Sequence, residues 1–92
     1  MSNPVPVGAW SNFDFTLTPQ AKDAFETAMQ PLFSAKYTPL AFASQVVAGT
    51  NYCFLCDVHY PTGFPDENAV KIYIYQPSGG EPSHYRIVPI SP

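Results

Sequence analysis

At 92 residues the chain has room for one core and no second domain, and a chain of this size buries only about 60–65% of the surface that its unfolded form exposes. Its residues are 46% hydrophobic, 15% aromatic and only 12% charged, against ~25% charged in an average domain, which excludes disorder over most of its length. A net charge of −3, with Lys22, Lys36, Lys71 and Arg86 scattered, excludes a phosphate-neutralising stripe, so neither nucleic acid nor an anionic membrane surface is an expected partner.

Residues 1–9 form the first unit. Pro4 and Pro6 alternate with Val5 and Val7 and lead to Gly8, which predicts an extended arm ending in a flexible joint, outside the single domain expected over residues 10–92. Met1–Pro6 lacks the basic and apolar regions of a signal peptide, and no stretch approaches the ~20 apolar residues of a membrane span. None of the asparagines stands in an Asn-X-Ser/Thr sequon. The expected compartment is the cytoplasm, although a chain trimmed of its leader would read the same.

Phe13, Phe15 and Leu17 alternate with Asn12, Asp14 and Thr16, the period of a half-buried strand. Thr18 then suits a helix N-cap, Pro19 the first helical position, and Asp23 falls near the positive end of the helix dipole. Ala21, Ala24, Phe25, Ala28, Met29, Leu32 and Phe33 recur at the spacing of one apolar helical face. Pro31 removes a backbone donor within that pattern and predicts a kink or an end near Gln30.

Beyond Lys36 the residues favour strands, expected at 37–47, 50–60, 69–76 and 85–90, with turns at Ala48-Gly49, at 61–68 and at 77–83. One helix followed by successive hairpins implies an α+β fold, the helix lying across an antiparallel sheet of four to five strands. Trp10 is expected as a core or lid residue. Successive turns alternate ends of a sheet, so the 61–68 connection should lie opposite the first hairpin.

Within the second strand pattern, Cys53 and Cys56 have CxxC spacing, and His59 and His84 are also available. Residues three apart on a strand point to opposite faces, so two half-buried thiols are expected and no metal or redox site. The carboxylates Asp14, Asp23, Glu26, Asp57, Asp66, Glu67 and Glu81 show no catalytic spacing, and there is no nucleophile elbow, phosphate loop or zinc-binding helix motif. The chain is therefore read as a non-enzyme, with no catalytic residues, metal or cofactor.

The segment Gln45-Val46-Val47-Ala48-Gly49 is unusual for a hairpin tip, because solvated turns favour Asn, Asp, Ser or Gly and only Gly49 fits. Two readings are open: an apolar contact surface, or valines that finish a buried strand. The run from Gln45 to Tyr52, Gln-Val-Val-Ala-Gly-Thr-Asn-Tyr, resembles the Gln-X-Val-X-Gly signature of the cystatin family in its stefin form, and the order of elements agrees from Gly8 to about Ile90. Pro31 agrees as well, since stefin helices often contain a proline near this place.

The resemblance implies a cystatin-like fold and a reversible, tight-binding inhibitor of papain-like cysteine proteases. It also implies a site in three parts: Val7 and Gly8 of the arm, Gln45, Val46, Val47, Ala48 and Gly49 of the first hairpin, and Pro77, Ser78 and Gly79 of the second. Secreted cystatins usually carry a Pro-Trp pair on the second loop and two disulfides. Here the loop reads Pro77-Ser78-Gly79-Gly80, poor in contact area, and only Gly8 stands where stefins often have two glycines. The active form is expected to be a monomer, and opening of the first hairpin to give domain-swapped dimers that do not inhibit. The alternative is a binding module on the same fold that inhibits no protease.

Overall fold

The structure, a computed structural model, describes residues 8–32, 35–60 and 68–90. In chain order it forms helix α1 (Pro19–Met29) and strands β1 (Lys36–Val47), β2 (Gly49–His59), β3 (Asn68–Gln76) and β4 (Ser83–Ile90). The four strands make one antiparallel sheet in the order β1-β2-β3-β4, and the helix packs on one face of it, an α+β arrangement. The arm residues 1–7, Phe33 and the connection at 61–67 lie outside the described residues.

Both ends of α1 follow from local chemistry. Thr18 is extended, and its Oγ1 accepts the Ala21 N–H at 3.2 Å, while Pro19 occupies a position where a missing N–H costs nothing. At the other end Pro31 has no N–H to offer the Thr27 carbonyl, which accepts from Gln30 instead at 3.4 Å, and the helix stops at Met29. Asp23 departs from its expected role: the first turn holds no acidic residue, and a charge further along gains little from the dipole.

Ala21, Ala24, Phe25, Ala28 and Met29 form the buried face of the helix, and the three alanines let it lie close to the sheet. Facing them are Tyr52, Phe54, Cys56 and Val58 of β2, Val70, Ile72 and Ile74 of β3, and Phe42 of β1, with Leu17 and Leu32 packed at the margin. Phe54 is fully buried at the centre, its ring 4.9 Å from Phe25 and 5.6 Å from Tyr52. Full burial of one such side chain stabilises the fold by about 1.5–3 kcal/mol.

The strand expected around Phe13 and Phe15 does not form. Gly8, Ser11 and Asp14 donate in turn to the carbonyls of Val46, Ser44 and Phe42, at 3.0, 2.9 and 2.8 Å. This segment thus spends three residues on every two of β1, so it is too contracted to keep a period of two. Phe13 and Phe15 are consequently exposed, Phe15 at 73%. Asp14 Oδ1 then accepts the Thr16 N–H at 2.9 Å, an Asx turn that redirects the chain toward the helix.

Register fixes which turns share an end. Val47 pairs with Gly49, Thr50 with Gln76 and Tyr75 with Ser83, so the β1-β2 and β3-β4 turns lie side by side. Val58 pairs with Asn68, which puts the strand ends joined by residues 61–67 at the opposite end. Two bulges interrupt the ladders, at Leu40 between Pro39 and Ala41 and at Tyr85, where two residues of β3 face three of β4.

Candidate functional site

The end of the sheet that carries both hairpin turns also receives Gly8. Its N–H donates to the Val46 carbonyl at 3.0 Å and its own carbonyl accepts from Gln45 Nε2 at 2.8 Å, which fixes the joint of the arm against the first hairpin. Its φ of +87°, with open space where a Cβ would stand, means that glycine is needed here for backbone conformation and not for clearance.

Val46 and Val47 are the last residues of β1 and Ala48 alone forms the tip, so β2 begins at Gly49, one residue earlier than expected. Val46 is 49% exposed, Ala48 is exposed and Val47 is half-buried. The valines therefore finish a strand, but not a buried one as the second reading expected, and Val46 remains accessible. Tyr75 of β3 reaches across and donates its phenol to the Ala48 carbonyl, tying the tip to the sheet.

Gly49 joins the first hairpin to the second. Its φ is +108°, and a Cβ there would stand inside van der Waals distance of the Gln76 carbonyl oxygen and 2.9 Å from Pro77 Cα. The backbone of one turn passes directly over the start of the other, and only glycine permits it. The second turn closes through the Gly80 N–H to the Pro77 carbonyl at 3.0 Å and through Gln76 Nε2 to the Gly80 carbonyl at 3.3 Å, leaving Ser78 and Gly79 exposed.

Nine of the ten residues expected from the sequence thus converge on one edge, in the order Gly8, Gln45 to Gly49, Pro77 to Gly79. The tenth, Val7, lies outside the described residues. None of the nine carries a charge. A rim of exposed Val46 and Ala48 backed by hydrogen-bonded turns offers an apolar surface with little freedom to lose on docking. The sequence reading missed the supports, Tyr75, Tyr85 and the Asn51 carboxamide. Asn51 lies inside the signature run, but the two tyrosines stand in strands, where nothing local distinguishes them.

The CxxC pair behaves differently. Cys56 belongs to the helix-side core, while Cys53 lines a pocket on the other face with Trp10, Phe13 and Tyr73. The thiols face apart as their spacing predicts, but both are buried and not half-buried as expected. Trp10 is 40% exposed and stands edge-on to Tyr73 at 6.0 Å, a lid on the outer face and no part of the core.

Desolvation pushes the Cys56 thiol up to about 12, with a smaller contribution from Cys53, and desolvation also raises Cys53 against the hydrogen bond from Tyr73. Thiolates are the reactive form, so neither cysteine should react with a disulfide reagent at pH 8 until the protein is denatured. An unfolded cysteine loses its proton near pH ~8.5, while native Cys56 keeps it until about 12. The unfolded state then binds fewer protons, and stability should fall as pH rises through that window by up to about 1.4 kcal/mol per pH unit. Thermal melts between pH 8 and 11 on the native protein and on Cys56→Ala check this: the variant should lose less stability with pH, and parallel losses would refute the assignment.

Among the described residues, no helix is long and apolar enough to cross a membrane, and no group of three His, Cys, Asp or Glu side chains could hold a metal ion. Comparison with protein-family models, curated proteins and solved structures finds no match.

Proposed function

We propose that the chain is a reversible, tight-binding inhibitor of papain-like cysteine endopeptidases that occludes the active-site cleft with the edge formed by Gly8, the Gln45–Gly49 hairpin and the Pro77–Gly79 turn. The observation that carries this reading is the meeting of three sequence-distant, uncharged segments at one end of the sheet, around a hairpin whose sequence resembles the cystatin signature. A narrow cleft excludes water from whatever enters it, so a charged wedge would lose hydration that the cleft could not restore. This edge has no charge to desolvate.

Inhibition on this reading is by occupancy. Burial of the exposed half of Val46 contributes about 1 kcal/mol, with further area from Ala48 and the Pro77 turn, against the cost of association. The Tyr75 and Gln45 hydrogen bonds hold the edge in shape beforehand, which reduces that cost. No bond to the catalytic thiolate is required.

Titration of papain with the purified protein is the test. Activity should fall in proportion to inhibitor added, return on dilution and leave the inhibitor uncleaved, while serine, aspartic and metalloproteases stay active. Papain that remains fully active at a micromolar excess would favour a binding module that inhibits no protease.

A further inference from the structure

A line of hydrogen bonds crosses the face of the sheet that points away from the helix. The Tyr85 phenol donates to Asn51 Oδ1 at 3.5 Å, Asn51 Nδ2 donates to Gln45 Oε1 at 2.8 Å, and Gln45 Nε2 donates to the Gly8 carbonyl at 2.8 Å. Every step runs donor to acceptor in one direction, from β4 through β2 and β1 to the joint of the arm. Hydrogen bonds in such a series polarise one another.

The placement of the members has separate causes. Gln45 and Asn51 are cross-strand partners in the β1-β2 ladder, which brings their carboxamides together. Tyr85 is the extra residue of the β4 bulge, and a bulge re-aims a side chain that a regular strand would point elsewhere. A carboxamide can present either its oxygen or its amino group to Gly8. With Gln45 Oε1 occupied by Asn51, the amino group is the end left to face the Gly8 carbonyl.

We propose that Asn51 and Tyr85 are positioning residues for the N-terminal arm: they orient the Gln45 carboxamide so that it holds Gly8, and so fix where the arm leaves the sheet before any partner is present. Gly8 then has both of its backbone polar groups anchored. The consequence for protease inhibition rests on the wedge reading above, while the consequence for Gly8 does not.

Asn51→Asp is the discriminating variant, being nearly isosteric but unable to donate. The carboxylate would recruit the Gln45 amino group and turn Gln45 Oε1 toward the Gly8 carbonyl, replacing an attraction with a repulsion. In the full-length protein, exchange of the Gly8 amide followed by NMR should speed up about tenfold in Asn51→Asp and about twofold in Tyr85→Phe. Amides in the middle of β2 and β3 should be unchanged in both. Papain inhibition should weaken in the same order. Unchanged Gly8 exchange in a folded Asn51→Asp overturns the proposal whatever papain does. If Asn51→Asp fails to fold, Tyr85→Phe decides, since an exposed phenol can be removed without loss of core, and native Gly8 exchange there overturns it equally. If the native protein leaves papain active while Gly8 exchange responds as expected, the positioning role stands and the wedge reading falls.

Discussion

Gly49→Ala is expected to destabilise the closed monomer by at least about 2 kcal/mol and to shift the protein toward a domain-swapped dimer. A φ of +108° costs a residue with a Cβ roughly 1–3 kcal/mol, and pressing that Cβ against the Gln76 carbonyl and Pro77 adds a steric penalty of about the same size. Both penalties exist only while the hairpin is closed. If the chain continues straight from Val47 through residue 49, the backbone becomes extended and the strain disappears, and Val46 and Val47 already favour that conformation. β1 and β2 then run as one long strand whose second half pairs with another copy. Size-exclusion chromatography after mild heating should show a dimer for Gly49→Ala under conditions that leave the native protein monomeric. That dimer should not inhibit papain, because its tip no longer exists. A Gly49→Ala protein that stays monomeric with a native melting temperature would contradict the strain argument.

Phe54→Ala should have the largest effect on stability. Its side chain is fully buried among Phe25, Phe42 and Tyr52, and truncating a core phenylalanine costs about 3–5 kcal/mol through lost burial and the cavity left behind. A domain of this length is stable by only about 5–14 kcal/mol, so much of the total is lost. The melting temperature should drop by at least about 12 °C, at ~4–8 °C per kcal/mol. Phe54 faces the helix and makes no part of the turn edge, so molecules that remain folded should inhibit papain nearly as well as the native chain. A melting temperature within a few degrees of native would show that the helix does not pack where the structure has it.

The contrast between these variants marks what was legible in the sequence. Helix ends were readable because their causes are local: Thr18, Pro19 and Pro31 act on backbone groups within four residues. The strand pattern was readable because β-branched and aromatic residues repeat with the pleat, and the first hairpin because Ala48-Gly49 interrupts two such runs. Phe13 and Phe15 misled because alternation alone does not show whether a partner strand keeps the same step. The segment pairs with β1 three residues to two, a ratio set by where Gly8 and Asp14 are anchored. The burial of Cys53 was equally hidden, since it depends on the packing of its strand neighbours and on a tryptophan 43 positions earlier in the chain. The supports of the edge, Tyr75 on Ala48 and Tyr85 on Asn51, arise from register and from a bulge, and no pattern within either strand announces them.

The first hairpin as the centre of a protease-blocking wedge is tested most directly by Val46→Asp. Val46 is half exposed in the free protein, so a carboxylate there stays solvated and the thermal melt should move by no more than a few degrees. In a complex the same carboxylate would be stripped of water without a partner. Papain inhibition should therefore weaken by at least about tenfold, a difference of ~1.4 kcal/mol, with stability held. A Val46→Asp protein that inhibits papain as tightly as the native chain would contradict the account.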